Sequence, residues 1–192
     1  MDGDITRRRT TVGSLAILGL LVLAGAGLPW IDQQIPGRQR WNTGVSYRVG
    51  RGIEMVPPPG AFLDVGFSRP GKTMAQARFV VDAGHQVTYT IWVSPHSGSL
   101  GEAAARMQRR LGRLGQVRLR ADETGMRTSE GTAGRTGSFT LHQDDLDGRY
   151  VVLVLEGASA VEAVVIGSAS ALEATAATID ETFASLALRG AR

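Results

Sequence analysis

Residues 134 to 168 read GRTGSFTLHQDDLDGRYVVLVLEGASAVEAVVIGS, and the fold turns on them. Three runs rich in β-branched and aromatic residues follow one another closely: Gly134 to His142, Arg149 to Glu156 and Val161 to Ser168. Asp144-Asp145-Leu146-Asp147-Gly148 and Gly157-Ala158-Ser159 separate them. Branched and aromatic side chains suit a pleated surface, while Gly and Asp favour turns. Connections this short join neighbouring antiparallel strands, so the stretch is expected to be a meander.

Upstream, Met74 to Val81 and Gln86 to Val93 flank Asp82-Ala83-Gly84-His85. Val87, Tyr89, Ile91 and Val93 alternate with Gln86, Thr88, Thr90 and Trp92, the period of a hairpin strand that Pro95 ends. Val45 to Val49, Ile53 to Val56, Ala61 to Phe67 and Val117 to Ala121 are shorter strand candidates. Pro57-Pro58-Pro59-Gly60 and Pro70-Gly71 punctuate the first three.

Two segments carry helical spacing instead. After Ser99, Leu100, Ala103, Met107, Leu111 and Leu114 form one apolar stripe, and Gly115 is a plausible stop. Ser99 with Glu102 three residues on makes a capping box. From Ser170 to about Leu188, residues Leu172, Ala176, Ile179, Phe183 and Leu186 step by four and three along a second helix. The expected class is α+β: an antiparallel sheet packed with two amphipathic helices.

The N-terminal end follows other rules. No residue from Thr10 to Ile31 is charged. As a helix this run is about 33 Å long, enough for a hydrocarbon core. Arg7, Arg8 and Arg9 precede it and Trp30 closes it at interfacial depth, which together predict a single-pass anchor with a cytoplasmic N-terminus. The rival reading is a signal peptide. Leu15 to Leu23 is an apolar core, and Ala24-Gly25-Ala26 is a cleavage pattern that would release a secreted protein. The uncharged run continuing past Ala26 to Trp30 favours the anchor. The expected organisation is a tail at 1–9, an anchor at 10–31, a stalk at 32–44, an extracytoplasmic domain at 45–188 and a tail at 189–192.

The 192 residues include no cysteine, which excludes disulfides, thiolate metal sites and a cysteine nucleophile. The formal charge of +3 is too small to imply nucleic-acid binding. His85, His96 and His142 have no ligand spacing to one another. Asp144, Asp145 and Asp147 before Gly148 depart from the calcium-loop pattern. No serine sits in G-x-S-x-G, and Gly131, Gly134 and Gly137 read as turn or bulge glycines. No cofactor is expected.

The order of elements resembles the PsbP-like fold. GVSYRV (44–49) and GIEMVPPPG (52–60) lead into a proline-glycine bend. SLGEAAARMQRRL (99–111) supplies a helix, and residues 130 to 188 run as three strands and a terminal helix ending in Ser-Leu-Ala-Leu. The resemblance covers roughly 44 to 188 and is a pattern of elements with no catalytic signature. It implies an αβα sandwich and a role in binding or assembly. The anchored start is similar to that of single-pass bacterial envelope members.

Arginine placement is the remaining signal. Arg106, Arg109, Arg110 and Arg113 fall at i, i+3, i+4 and i+7, on the helix face opposite the apolar stripe, and Arg118 and Arg120 follow. One reading is a solvated face whose charges pair with distant acids. The other is a platform for an anionic surface, either lipid headgroups or an acidic partner protein. The expected function is a non-enzymatic, membrane-tethered binding or scaffold domain, an accessory subunit contacting another membrane protein. The alternative is a carrier holding a lipid between sheet and helix, lined by Met74, Phe79, Trp92, Met107 and Phe183. An acid pair, Asp144 with Asp147, is the weakest reading, because a shared turn gives the two carboxyls no difference in environment.

Overall fold

The computed structural model describes residues 37–71, 74–82, 86–113, 117–142, 146–155 and 159–189. All but Gly37 belong to one compact unit, Arg38–Arg192. The tail, the anchor and residues 32–36 of the expected stalk lie outside the described residues, with Arg7, Arg8, Arg9 and Trp30. Among the described residues, no helix is long and apolar enough to cross a membrane.

The described strands form two sheets. The larger contains β1 (Arg38–Arg40), β4 (Phe62–Asp64), β5 (Ala75–Asp82), β6 (Gln86–Pro95), β11 (Ser159–Gly167), β10 (Leu146–Leu155), β9 (Ala133–Leu141) and β7 (Val117–Leu119), in that spatial order. A further strand, β8 (Thr124–Arg127), shares the outer edge of β9 with β7. The smaller sheet is β12 (Ala187–Leu188), β3 (Ile53–Met55) and β2 (Tyr47–Gly50). Every pairing among the described strands is antiparallel, and β9, β10 and β11 form the meander expected from the spacing of their turns.

Two cores lie on opposite faces of the larger sheet. On one face, Ala103, Met107 and Leu111 of α1 (Leu100–Gly112) pack on Phe139, Tyr150, Val152, Ala160 and Val164. On the other, Phe79, Tyr89, Ile91, Leu153 and Val165 meet the small sheet, α2 (Ala169–Ala174) and α3 (Ala176–Ala184) through Leu172, Ile179 and Phe183. The result is a sheet with helices on both faces. Burial on both sides explains why β11 is almost wholly apolar rather than alternating.

Side-chain volume across the strands sets the meander's tight fit. Gly137 stands opposite Tyr150, and Gly148 opposite Phe139. A Cβ on Gly148 would come within 2.1 Å of the Phe139 ring, and one on Gly137 within 2.7 Å of the Tyr150 hydroxyl. Gly134 and Gly137 are therefore strand residues that make room for Leu153 and Tyr150, a correction to their reading as turn or bulge glycines. Gly131 keeps that role, at φ +86° between β8 and β9.

α1 starts as the capping box requires. The Glu102 amide donates to Ser99 Oγ at 3.3 Å, and the Ser99 amide donates to Glu102 Oε2 at 2.7 Å. The terminal helix differs from expectation. It breaks at Thr175, whose hydroxyl donates to the Ala171 carbonyl at 2.7 Å and competes for an acceptor of the helix. It also ends at Ala184, and Ala187–Leu188 pairs with β3 as a strand. The apolar steps could not reveal this, because Leu186 and Ala187 are buried whichever backbone carries them.

The folded unit begins seven residues earlier than the sequence suggested, at Arg38 rather than Val45. Three residues of the expected stalk form β1 on β4, and Trp41 stacks edge-on against Tyr47 with ring centroids 5.1 Å apart. Tyr47 in turn meets Phe79 at 5.1 Å.

Candidate binding surface on the arginine helix

The six arginines do not form one face. Arg106 and Arg110, a helical turn apart, reach down to Glu162 at the centre of β11, which is 1% exposed. Arg106 Nε donates to Glu162 Oε1 at 2.8 Å. Arg110 Nη1 lies 2.6 Å from Oε2, an ion contact whose angle leaves that oxygen without an aligned donor. Arg110 also sits over the Trp92 ring, 5.4 Å from its centroid. The arrangement fastens α1 to the sheet by charge in addition to its apolar stripe.

Arg106 has further partners. Its Nη2 donates to Ser94 Oγ at 3.2 Å, and Nη1 lies 3.4 Å from His96 Nδ1. His96 Nε2 is 3.0 Å from the Ser99 carbonyl, which can only accept. The ring proton therefore sits on Nε2, and Nδ1 is the acceptor facing the guanidinium. His96 is half-buried at the foot of α1, His142 is exposed, and His85 lies outside the described residues. Among the described residues, no group of three metal-ligating side chains gathers.

A second network ties α1 to the segment before β8. Glu123 accepts from Arg135 Nη1 at 2.7 Å, from Gln108 Nε2 at 2.8 Å and from the Tyr150 hydroxyl at 3.0 Å. Burial raises the Tyr150 phenol above its ordinary value, and the Glu123 carboxylate it donates to adds to the rise.

Arg120 belongs to the far side of the sheet. Its Nη2 donates to Asp147 Oδ1 at 2.8 Å and to Thr140 Oγ1 at 3.2 Å. With Asp122, Ser138, Arg149 and Glu173 it lines a half-open recess of about 310 Å³. Hydrogen bonds from the Ser138 hydroxyl and amide hold the Asp122 carboxyl below its ordinary range. Arg149 Nη2 donates to Asp180 Oδ1 at 2.6 Å, so both arginines of this mixed-charge recess are paired with carboxylates.

Arg109, Arg113 and Arg118 remain. All three are exposed, and none has a carboxylate partner among the described residues. Arg109 and Arg113 stand together on α1, whereas Arg118 stands opposite Thr140 on β9 and projects from the far side of the sheet, the side of Arg120. Of the other residues singled out, Asp147 is paired with Arg120, while Asp144 and Asp145 lie outside the described residues. Phe79 and Phe183 belong to one core and Met107 to the other, Trp92 borders the latter, and Met74 is 67% exposed. These five do not line one cavity. Sequence reasoning missed Glu162, although a lone acid inside SAVEAVVIG is the signal of a buried ion pair seeking a partner.

A wide antiparallel sheet with α1 on one face, and α2, α3 and a small sheet on the other, is a PsbP-like fold. The solution structure of cyanobacterial PsbP (CyanoP) from Synechocystis sp. PCC 6803 is similar to this chain, with a TM-score of 0.52 at 15% identity. The match covers 80% of this chain and 94% of that one. At this identity the likeness extends to the fold and carries no residue role across. No protein-family model matches the chain, and no curated protein does.

Proposed function

We propose that this chain is a non-enzymatic, membrane-tethered binding or scaffold domain of the cell envelope, an accessory subunit that docks an acidic segment of another membrane protein. One observation carries the reading: Arg109 and Arg113 are exposed on α1 without a carboxylate among the described residues, while Arg106 and Arg110 are paired. Two free guanidinium groups one turn apart on a helix fastened to the sheet form a rigid, directional site for carboxylates. The tether is the uncharged run from Thr10 to Ile31, retained in the bilayer with the N-terminus cytoplasmic and the domain outside.

A photo-crosslinking residue at Gly112, between the exposed arginines, tests this in native membranes. The expected result is one discrete adduct with a membrane protein. That adduct disappears in the double variant Arg109→Glu, Arg113→Glu and survives Arg149→Gln, on the far side of the sheet. An adduct indifferent to the double reversal contradicts the proposal.

A further inference from the structure

We infer that the β1–β4 edge of the larger sheet rests against an anionic bilayer surface; this builds on the tether of the proposed function. The upstream chain joins the domain at Arg38, which pairs with Asp64, so it leaves the strand on the Val65 side. From Ile31 to Arg38 is seven residue steps, a leash of at most about 25 Å. The edge where the chain enters is therefore held near the headgroups.

The chemistry of this edge fits that neighbour. Arg38 and Arg40 point to the same side of β1, and both are exposed. Arg69, joined to β5 by its bridge to Gln76, is exposed as well. None of the three has a carboxylate partner among the described residues, and the acid of this edge, Asp64, pairs with Arg78 at 3.8 Å. Large apolar side chains are exposed in the same part of the chain: Val65, just after β4, is 40% exposed, and Met74, just before β5 and two residues from Gln76, is 67% exposed. Cations flanking exposed aliphatic groups match an interface of acidic headgroups over acyl chains.

The opposite edge is placed for a different task. β7 stands seven strand steps from β1 in the sheet order. At the usual strand spacing that is up to about 34 Å. α1 packs over β10, β9 and β7, so its exposed arginines lie toward the β7 end of the sheet and not at the β1 edge. One domain thus carries two basic surfaces, one for lipid and one for a protein.

The chain has no native cysteine, so single cysteines can be labelled without background. The full chain is reconstituted through its anchor into vesicles of phosphatidylglycerol and phosphatidylcholine, with an environment-sensitive fluorophore on Met74→Cys or on Arg113→Cys. The Met74→Cys label is expected to shift to the blue and to be quenched by headgroup spin-labelled lipid. Both signals are lost in phosphatidylcholine alone at high salt, and in the triple variant Arg38→Gln, Arg40→Gln, Arg69→Gln. The Arg113→Cys label stays in water throughout. A Met74→Cys label as aqueous as the Arg113→Cys label, on protein that floats with the vesicles, overturns the inference alone. Protein that fails to float overturns the tether and the inference with it.

Discussion

Glu162 decides how α1 is held. Its carboxylate is 1% exposed, and its two arginine partners are about one-third exposed, so the pair is desolvated on one side. Removing the charge leaves two guanidinium groups over a buried site. Glu162→Gln is expected to cost about 2 kcal/mol, below the range for fully buried pairs because the arginines keep partial access to water. Arg109→Gln, on the exposed side of the same helix, should stay within about 0.5 kcal/mol of the parent. Urea unfolding followed by tryptophan fluorescence distinguishes the two. The i, i+4 spacing of Arg106 and Arg110 was legible in the sequence, but their partner lies 56 residues beyond Arg106 and no local pattern reaches it.

Ser99 and Glu102 show the opposite case, a site readable from sequence because both partners sit within one turn. The Ser99 backbone and side-chain hydrogen bonds hold the Glu102 carboxyl below its ordinary value of 4.5. A lowered carboxylate pKa adds stability that is full above the unfolded value and lost as pH falls through the folded one. Ser99→Ala should cost about 1 kcal/mol at neutral pH and weaken the acid-induced loss of stability. Unfolding curves at neutral pH and below 4.5 measure both effects.

At the scale of elements, the β9–β10 pair depends on glycine facing an aromatic ring. Gly148→Ala places a methyl 2.1 Å from the Phe139 ring and 2.5–2.6 Å from its neighbouring carbons. Overpacking of this kind is expected to cost about 1–3 kcal/mol and to change the near-ultraviolet circular dichroism. β1 is tested by Trp41→Ala, which removes the ring stacked on Tyr47 and should cost about 2 kcal/mol by thermal unfolding. The meander was legible because its strands are long, branched and bounded by strong turns. β1 and β8 were not, since Arg-Gln-Arg and Thr-Gly-Met-Arg are short, mainly exposed and without apolar alternation; β1 is held by β4 further along the chain and β8 by its neighbour β9. The break at Thr175 and the switch to β12 were hidden for a related reason. An apolar stripe records which side chains face the core, not which backbone presents them.

For the whole molecule, fold and location separate. The PsbP-like arrangement follows from residues that bury one another, and the pattern of elements carried it from the start. The location depends on residues 10–31 and on how a bilayer treats them, which the packing of the folded unit does not touch. The proposed bilayer contact and the proposed docking surface both require that the leading run stays in lipid. The most direct measurement is N-terminal sequencing of the native chain together with alkaline carbonate extraction of its membranes. A chain that retains residues 10–31 and stays in the membrane pellet is the expected result. Recovery of a soluble chain beginning at Gly27 would contradict it.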